Sequence, residues 1–297
     1  MKKLFITALG AIALVACSQQ KANTDSDATQ ETADSSAVAG QFDVRECDGY
    51  KLHIYLTGDQ MADASYIIEG TDSIVTLEQP LFKVNAEAFD KYLASLGKPV
   101  AKRIADFHLG NTGAETLTMP QGMPEVVKGP AYSGMMNHFA EEYGDAIEPL
   151  PTGATEEVAF DSTMLMAGVP FTFYKGAAND FPGANILIGK DAVYSHWSPA
   201  KTHVNNLYAA NLAGVNDRIS ELEQILATGA SIFVGGHGDP ATADDVRFRI
   251  GYLNKVRELR ANQPDAESFA AALISEYPGL PGEDGVKGFA EALYSAE

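Results

Sequence analysis

The sequence predicts an α/β domain whose strands are buried by helices, and three observations carry that expectation. Between 73 and 107, short β-branched runs and a helical pattern follow in the order strand, helix, strand, which implies a crossover unit and a buried sheet. A second strand-rich block occupies 169–195. An apolar run at 230–234 then passes through GGHG at 235–238 into a long helix with a good capping residue, Thr242.

The chain opens with Met1-Lys2-Lys3 and an apolar run over 4–16, followed by Cys17. A basic start, a short apolar core and small residues before a cut describe a secretory signal. The apolar run is shorter than the about 20 residues that a spanning helix needs. LVAC at 14–17 matches the lipobox of bacterial lipoproteins, so cleavage before Cys17 and acylation of its thiol are expected. Ser18 after the cysteine points to the outer membrane, facing the periplasm. Residues 18–40 contain no aromatic side chain and bury too little apolar surface to offset ordering, so they read as a flexible tether. The expected organisation is a signal at 1–16, an acylated tether at 17–40 and one domain at 41–297.

Within the domain, SYIIE at 65–69 and SIVTL at 73–77 are separated by Gly70-Thr71-Asp72, which reads as a hairpin. Asn85 is the expected cap of a helix carrying Phe89, Tyr92, Leu93 and Leu96, ended by Gly97 and Pro99. Residues 100–107 read as a strand that delivers His108. The segment 110–151 is rich in Gly, Pro and Met and gives no clear pattern. Strands are expected at 169–174, 185–188 and 192–195, and helices at 217–227, from Thr242, at 267–277 and at 286–295.

The formal charge is −19, and loss of the signal, which carries Lys2 and Lys3 and no acid, takes it to −21. A field of that sign repels nucleic acid and anionic lipid, so no nucleic-acid partner is expected and membrane contact only through the anchor. With Cys17 acylated, Cys47 has no partner for an internal disulfide and reads as an idle or buried thiol.

Five segments, in order, resemble the metallo-β-lactamase superfamily. ASYIIEG at 64–70 with SIVTLE at 73–78 resembles its opening hairpin, and DFHLGNTGA at 106–114 its H-x-H-x-D-H-x-G-G loop. NDFPG at 179–183 resembles its G-H-T-P-G loop, AVYSHW at 192–197 the strand that usually ends in Gly-Asp, and GGHGDP at 235–240 its final P-G-H-G segment. The resemblance covers roughly residues 50–260 and implies a four-layer αββα sandwich with a metal site at one sheet edge. In that family a bound metal polarises substrate and lowers the pKa of water to about 7. The fold locates a site and leaves the substrate open.

Carried over residue by residue, the family's ligands are unevenly kept. The loop's first histidine falls on Asp106, the second on His108, the aspartate on Gly110 and the next histidine on Asn111. The following loop's histidine falls on Asp180, the bridging aspartate near His196 or Trp197, and the last histidine on His237. The resemblance thus implies either no metal, or one divalent ion (Zn²⁺, Mn²⁺ or Fe²⁺) held by Asp106, His108 and Asp180, with His237 or His196 as proton donor. His196 and His203 also have structural readings, and Trp197 at the bridging position would fill vacated metal space with apolar bulk. Ser133 and Ser195 lack a nucleophile context, while His138, Met135 and Met136 fall in the unassigned middle.

Three functional expectations follow. The first is a diverged envelope lipoprotein whose metal site is largely degraded, with weak or no classical hydrolase activity, binding an unidentified small molecule or protein. The second is a single-metal hydrolase of an ester, lactone, thioester or related bond. The third is a metal-free enzyme that uses His108 and His237 as an acid–base pair.

Overall fold

A computed structural model of the chain describes residues 39–110, 113, 115–177 and 183–295. The expected signal, most of the tether, Cys17, Asn111 and Asp180 lie outside the described residues.

The first sheet has seven strands in sequence order: β1 (Gln41–Cys47), β2 (Tyr50–Leu56), β3 (Ala64–Glu69), β4 (Ile74–Leu77), β5 (Val100–Ile104), β6 (Leu117–Pro120) and β7 (Thr155–Val158). β1 to β4 pair antiparallel, and β4 to β7 pair parallel. α1 (Lys83–Ser95) makes the crossover between β4 and β5. The second sheet contains β8 (Ser162–Met166), β9 (Val169–Lys175), β10 (Ala184–Ile188), β11 (Ala192–Ser195) and β12 (Ile232–Val234), ordered β12-β11-β10-β9-β8. β12 joins β11 in parallel through α4 (Leu212–Ala227). α5 (Ala243–Asn262), α6 (Ala266–Glu276) and α7 (Glu283–Ser295) complete the chain.

Alternation along the strands makes four layers. Tyr66, Ile68, Val75 and Leu77 of the first sheet meet Phe171, Phe173, Ile186 and Tyr194 of the second in one core between the sheets. Ile67 and Ile74 face the other way and pack Phe89 and Leu93 of α1. Val193 faces outward into a core with Val215 and Leu222 of α4, Val246 and Leu253 of α5, and Phe269 and Phe289 of the last two helices. This is the predicted αββα sandwich.

Several local expectations are corrected. Asn85 does not cap α1, which begins after Phe82 with no side-chain cap. Asn85 is buried in the first turn, where its amide donates to the Thr57 carbonyl (2.9 Å) and the Tyr55 hydroxyl (3.2 Å), so tertiary demand for a donor outweighs capping. Cys47, a half-buried free thiol, ends β1. The middle segment supplies β6, the short helix α2 (Met123–Val127) and α3 (Pro130–Tyr143), which bury Leu117, Met119, Met123 and Tyr132 over the 105–109 loop. Thr242 caps α5 as expected, in a capping box closed by Asp245.

Candidate metal centre

Four connections meet at one edge of the two sheets. The 57–63 turn before β3 is stitched to the 235–238 loop after β12 by Ala64 N–H to the Gly236 carbonyl and Gly238 N–H to the Ala62 carbonyl, both 2.8 Å. Gly236 N–H donates to the His196 carbonyl at 2.9 Å, which ties in the loop after β11. Tyr66, rising from the inter-sheet core, donates its hydroxyl to the Gly235 carbonyl at 2.6 Å.

The 105–109 loop is held from beneath by Glu78. This residue follows β4 in the left-handed region (φ 58°) and is fully buried. Its carboxylate accepts the Asp106 and His108 N–H groups at 2.6 and 2.7 Å, with Phe107 N–H at 3.3 Å. A non-glycine residue there costs about 1–2 kcal/mol, and charge-assisted bonds to several amides offset it. The loop thereby points the His108 side chain into the edge.

Three imidazoles converge there. His108, His196 and His237 each offer a ring nitrogen, and these nitrogens lie within 4.8 Å of one another. The ring centroids are 4.8 Å apart for His108 and His237, 5.0 Å for His196 and His237, and 5.3 Å for His108 and His196. Close approach depends on Gly236, since a Cβ there would stand 2.6 Å from His196 Nδ1 and 3.1 Å from His108 Cε1. Phe107 stacks on His196 at 3.9 Å, and Trp197 meets its edge at 5.2 Å.

Asp63 forms the floor, with its side chain 2% exposed. Its Oδ1 is 2.9 Å from His237 Nδ1 and 3.9 Å from His108 Nε2. His237 Nδ1 also lies 3.1 Å from the Met61 carbonyl, so that nitrogen carries the proton. Burial opposes ionisation of Asp63, but the His108 and His237 imidazoles overcome it and lower the carboxyl pKa. Burial would likewise lower the His237 pKa, yet the Asp63 carboxylate raises it above the ordinary imidazole value. Among the described residues His196 has no carboxylate partner, and burial followed by its histidine neighbours holds it well below that value, as a neutral ring.

The structure sorts the sequence-predicted residues. His108, His196 and His237 come together. Asp106 does not join them: it is fully buried, its Oδ1 accepts the Ala184 N–H at 3.1 Å, and its Oδ2 has no hydrogen-bond partner among the described residues. Burial, then the Glu78 charge, raises its pKa well above the ordinary carboxyl value, and the side chain is engaged with Ala184 rather than with the imidazoles. Asp180 lies outside the described residues. At the slip left open after β11, His196 and not Trp197 enters the cluster. His203 is buried elsewhere, 3.0 Å from the Tyr252 hydroxyl, and His138 is half exposed on α3, 3.5 Å from Glu142. Met135 and Met136 pack with Phe107.

Sequence reasoning missed two residues. Asp63 immediately precedes an inward-facing strand, and Glu78 immediately follows a buried one. An acid at each end of a buried hairpin, on the edge that gathers the histidine loops, was the available signal.

The chemistry of the donor set fits a divalent metal. Three imidazoles suit zinc or a related first-row ion. Among the described residues the buried His196 Nδ1 has no hydrogen-bond partner, and neither does the buried Asp63 Oδ2.

No family model matches the chain, and no curated protein is significantly similar to it in sequence. Solved structures are similar. A β-lactamase domain protein from Burkholderia ambifaria superposes with a TM-score of 0.58 at 14% identity, covering 88% of each chain. A metallo-β-lactamase family protein from Thermus thermophilus gives 0.52 at 17% identity, over 82% of this chain and 90% of that one. The inverting sec-alkylsulfatase Pisa1 from Pseudomonas sp. gives 0.56 at 15% identity over 82% of this chain. This chain spans only 48% of the alkylsulfatase. The fold is that of these metallo-β-lactamase-like structures.

Proposed function

We propose that the domain is a single-metal hydrolase of an ester, lactone, thioester or related bond, with the metal held by His108, His196 and His237. The observation that carries this reading is the convergence of three imidazoles on the sheet edge where this fold gathers its site loops. This ligand set replaces the Asp106, His108 and Asp180 set expected from the sequence. When bound, such an ion polarises a carbonyl and lowers the pKa of water to about 7.

The chain's own residues prepare that chemistry. Asp63 fixes the His237 tautomer and ring orientation, as a carboxylate commonly does for a metal-binding histidine. Glu78 fixes the backbone from which His108 projects. Phe107 stacks on His196 and packs it into place. His196, kept neutral, keeps a lone pair available at neutral pH.

The test is metal content after expression with Zn²⁺, Mn²⁺ and Fe²⁺ available, followed by dialysis. About one equivalent is expected, lost in H196A and retained in D106N, with ester hydrolysis lost alongside the metal. Retention of metal in H196A, or no metal at all, would sink the reading and leave the diverged, non-catalytic lipoprotein as the account. We also infer that the domain is tethered to the cell envelope through acylated Cys17, on the support of LVAC at 14–17.

A further inference from the structure

The connections that build the centre carry charge of one sign only. The stretches 57–63, 78–82, 105–110, 195–200 and 235–242 contain Asp59, Asp63, Glu78, Asp106 and Asp239, and no lysine or arginine. The cation whose charge reaches His196, Arg218, is buried and committed: it pairs with Glu221 at 2.7 Å and donates to the Tyr208 carbonyl at 3.0 Å. Lys201, just beyond the 195–200 stretch, pairs with Asp245 at 3.2 Å.

A site that holds a phosphate, sulfate or carboxylate substrate needs fixed donors for it, usually an arginine fork, a lysine or a cluster of backbone amides. Here the obvious amide cluster, at 106–108, is already filled by the Glu78 carboxylate. A divalent ion would bring positive charge, but the Asp63 and Glu78 carboxylates beside the imidazoles offset it. What the centre offers a substrate beyond the imidazoles is aromatic: the Phe107 ring against His196, and Trp197 within 5.2 Å of His196 and 6.1 Å of His237. Beyond the site, a net charge of −19 adds a long-range field that repels anions.

We propose that the centre selects uncharged or cationic acyl substrates, with an apolar group beside the scissile bond, and discriminates against anionic ones. This rests on the hydrolase reading above and adds the substrate class. The aromatic faces accept an alkyl chain or, by cation–π contact, an ammonium group. An anionic acyl group would be desolvated beside carboxylates, with no lysine or arginine of the described connections to pair with it.

The test uses the metal-loaded full chain in detergent and three 4-nitrophenyl esters that share a scissile bond and leaving group: butyrate, 4-(trimethylammonio)butyrate and hemisuccinate. The expected order in kcat/KM is cationic at least equal to neutral, and neutral above anionic by about tenfold or more at low ionic strength. The gap should shrink as salt rises to about 0.5 M. An anionic ester turned over as fast as the neutral one overturns the proposal, and so does a gap insensitive to salt, which would be steric. Turnover of none of the three by metal-loaded protein is a different failure: it removes the hydrolase reading, and this proposal with it.

Discussion

Gly236 shows how much one missing methyl group decides. It lies between His196 and His108, and no Cβ fits there without displacing the rings. In G236A the His196 imidazole must rotate away, since the other close atoms belong to the equally constrained His108. Metal affinity should fall at least tenfold, as for loss of a supporting contact around a metal site. Overpacking of this kind costs about 1–3 kcal/mol, so the fold should survive. Titration calorimetry with Zn²⁺, beside a thermal melt, checks this, and unchanged affinity would mean that the three rings do not share one ion. Glu78 works at the same scale, because a strained backbone is retained where its carboxylate gathers three amides.

Between elements, His53 is the informative contact. It sits on β2, with Nδ1 2.9 Å from the Tyr92 hydroxyl of α1 and Nε2 3.0 Å from Glu69 of β3. Lys98 closes the group with an ion pair to Glu69 at 2.7 Å. Burial lowers the His53 pKa, and the Glu69 carboxylate only partly opposes this. A histidine with a lowered pKa favours folding above its unfolded value of about 6.5, and that stability is lost as pH falls from there through the folded value. His203, also lowered by burial, adds to the same limb. With chelator present, the melting temperature should therefore drop between about pH 6.5 and 5. H53Q should make that limb shallower, by at most about 1.4 kcal/mol per pH unit for one proton. An identical limb in H53Q would place the proton uptake elsewhere.

For the whole molecule, charge and attachment act together. A strongly acidic domain does not adhere to anionic lipid, so the membrane attachment proposed above would rest on a covalent anchor. Cys17 is the candidate, and no helix among the described residues is long and apolar enough to cross a membrane. Metabolic labelling with an alkyne fatty acid in a bacterial host should tag the wild-type chain and move it to the membrane fraction. C17S should lose both the label and the sedimentation, and labelling that persists in C17S would rule out this anchor.

The sequence by itself determined an α/β class, because the crossover at 73–107 and the Thr242 cap are local signals that packing reinforces, while the αββα layering was implied by the resemblance of five segments. It also determined that His108 and His237 stand at loop ends on the site edge. Tertiary structure decided which side chains share the site. A one-residue slip after β11 separates His196 from Trp197, and only pairing with β10 and β12 fixes which of them faces inward. Asp106 is a ligand by motif position, yet it is buried beside Glu78, which raises its pKa, and its carboxyl accepts the Ala184 N–H. Asp63 carries no motif of its own and gains its place from strands that bring residues 63 and 237 together. Proximity across such sequence distances is a property of packing, and local patterns do not encode it.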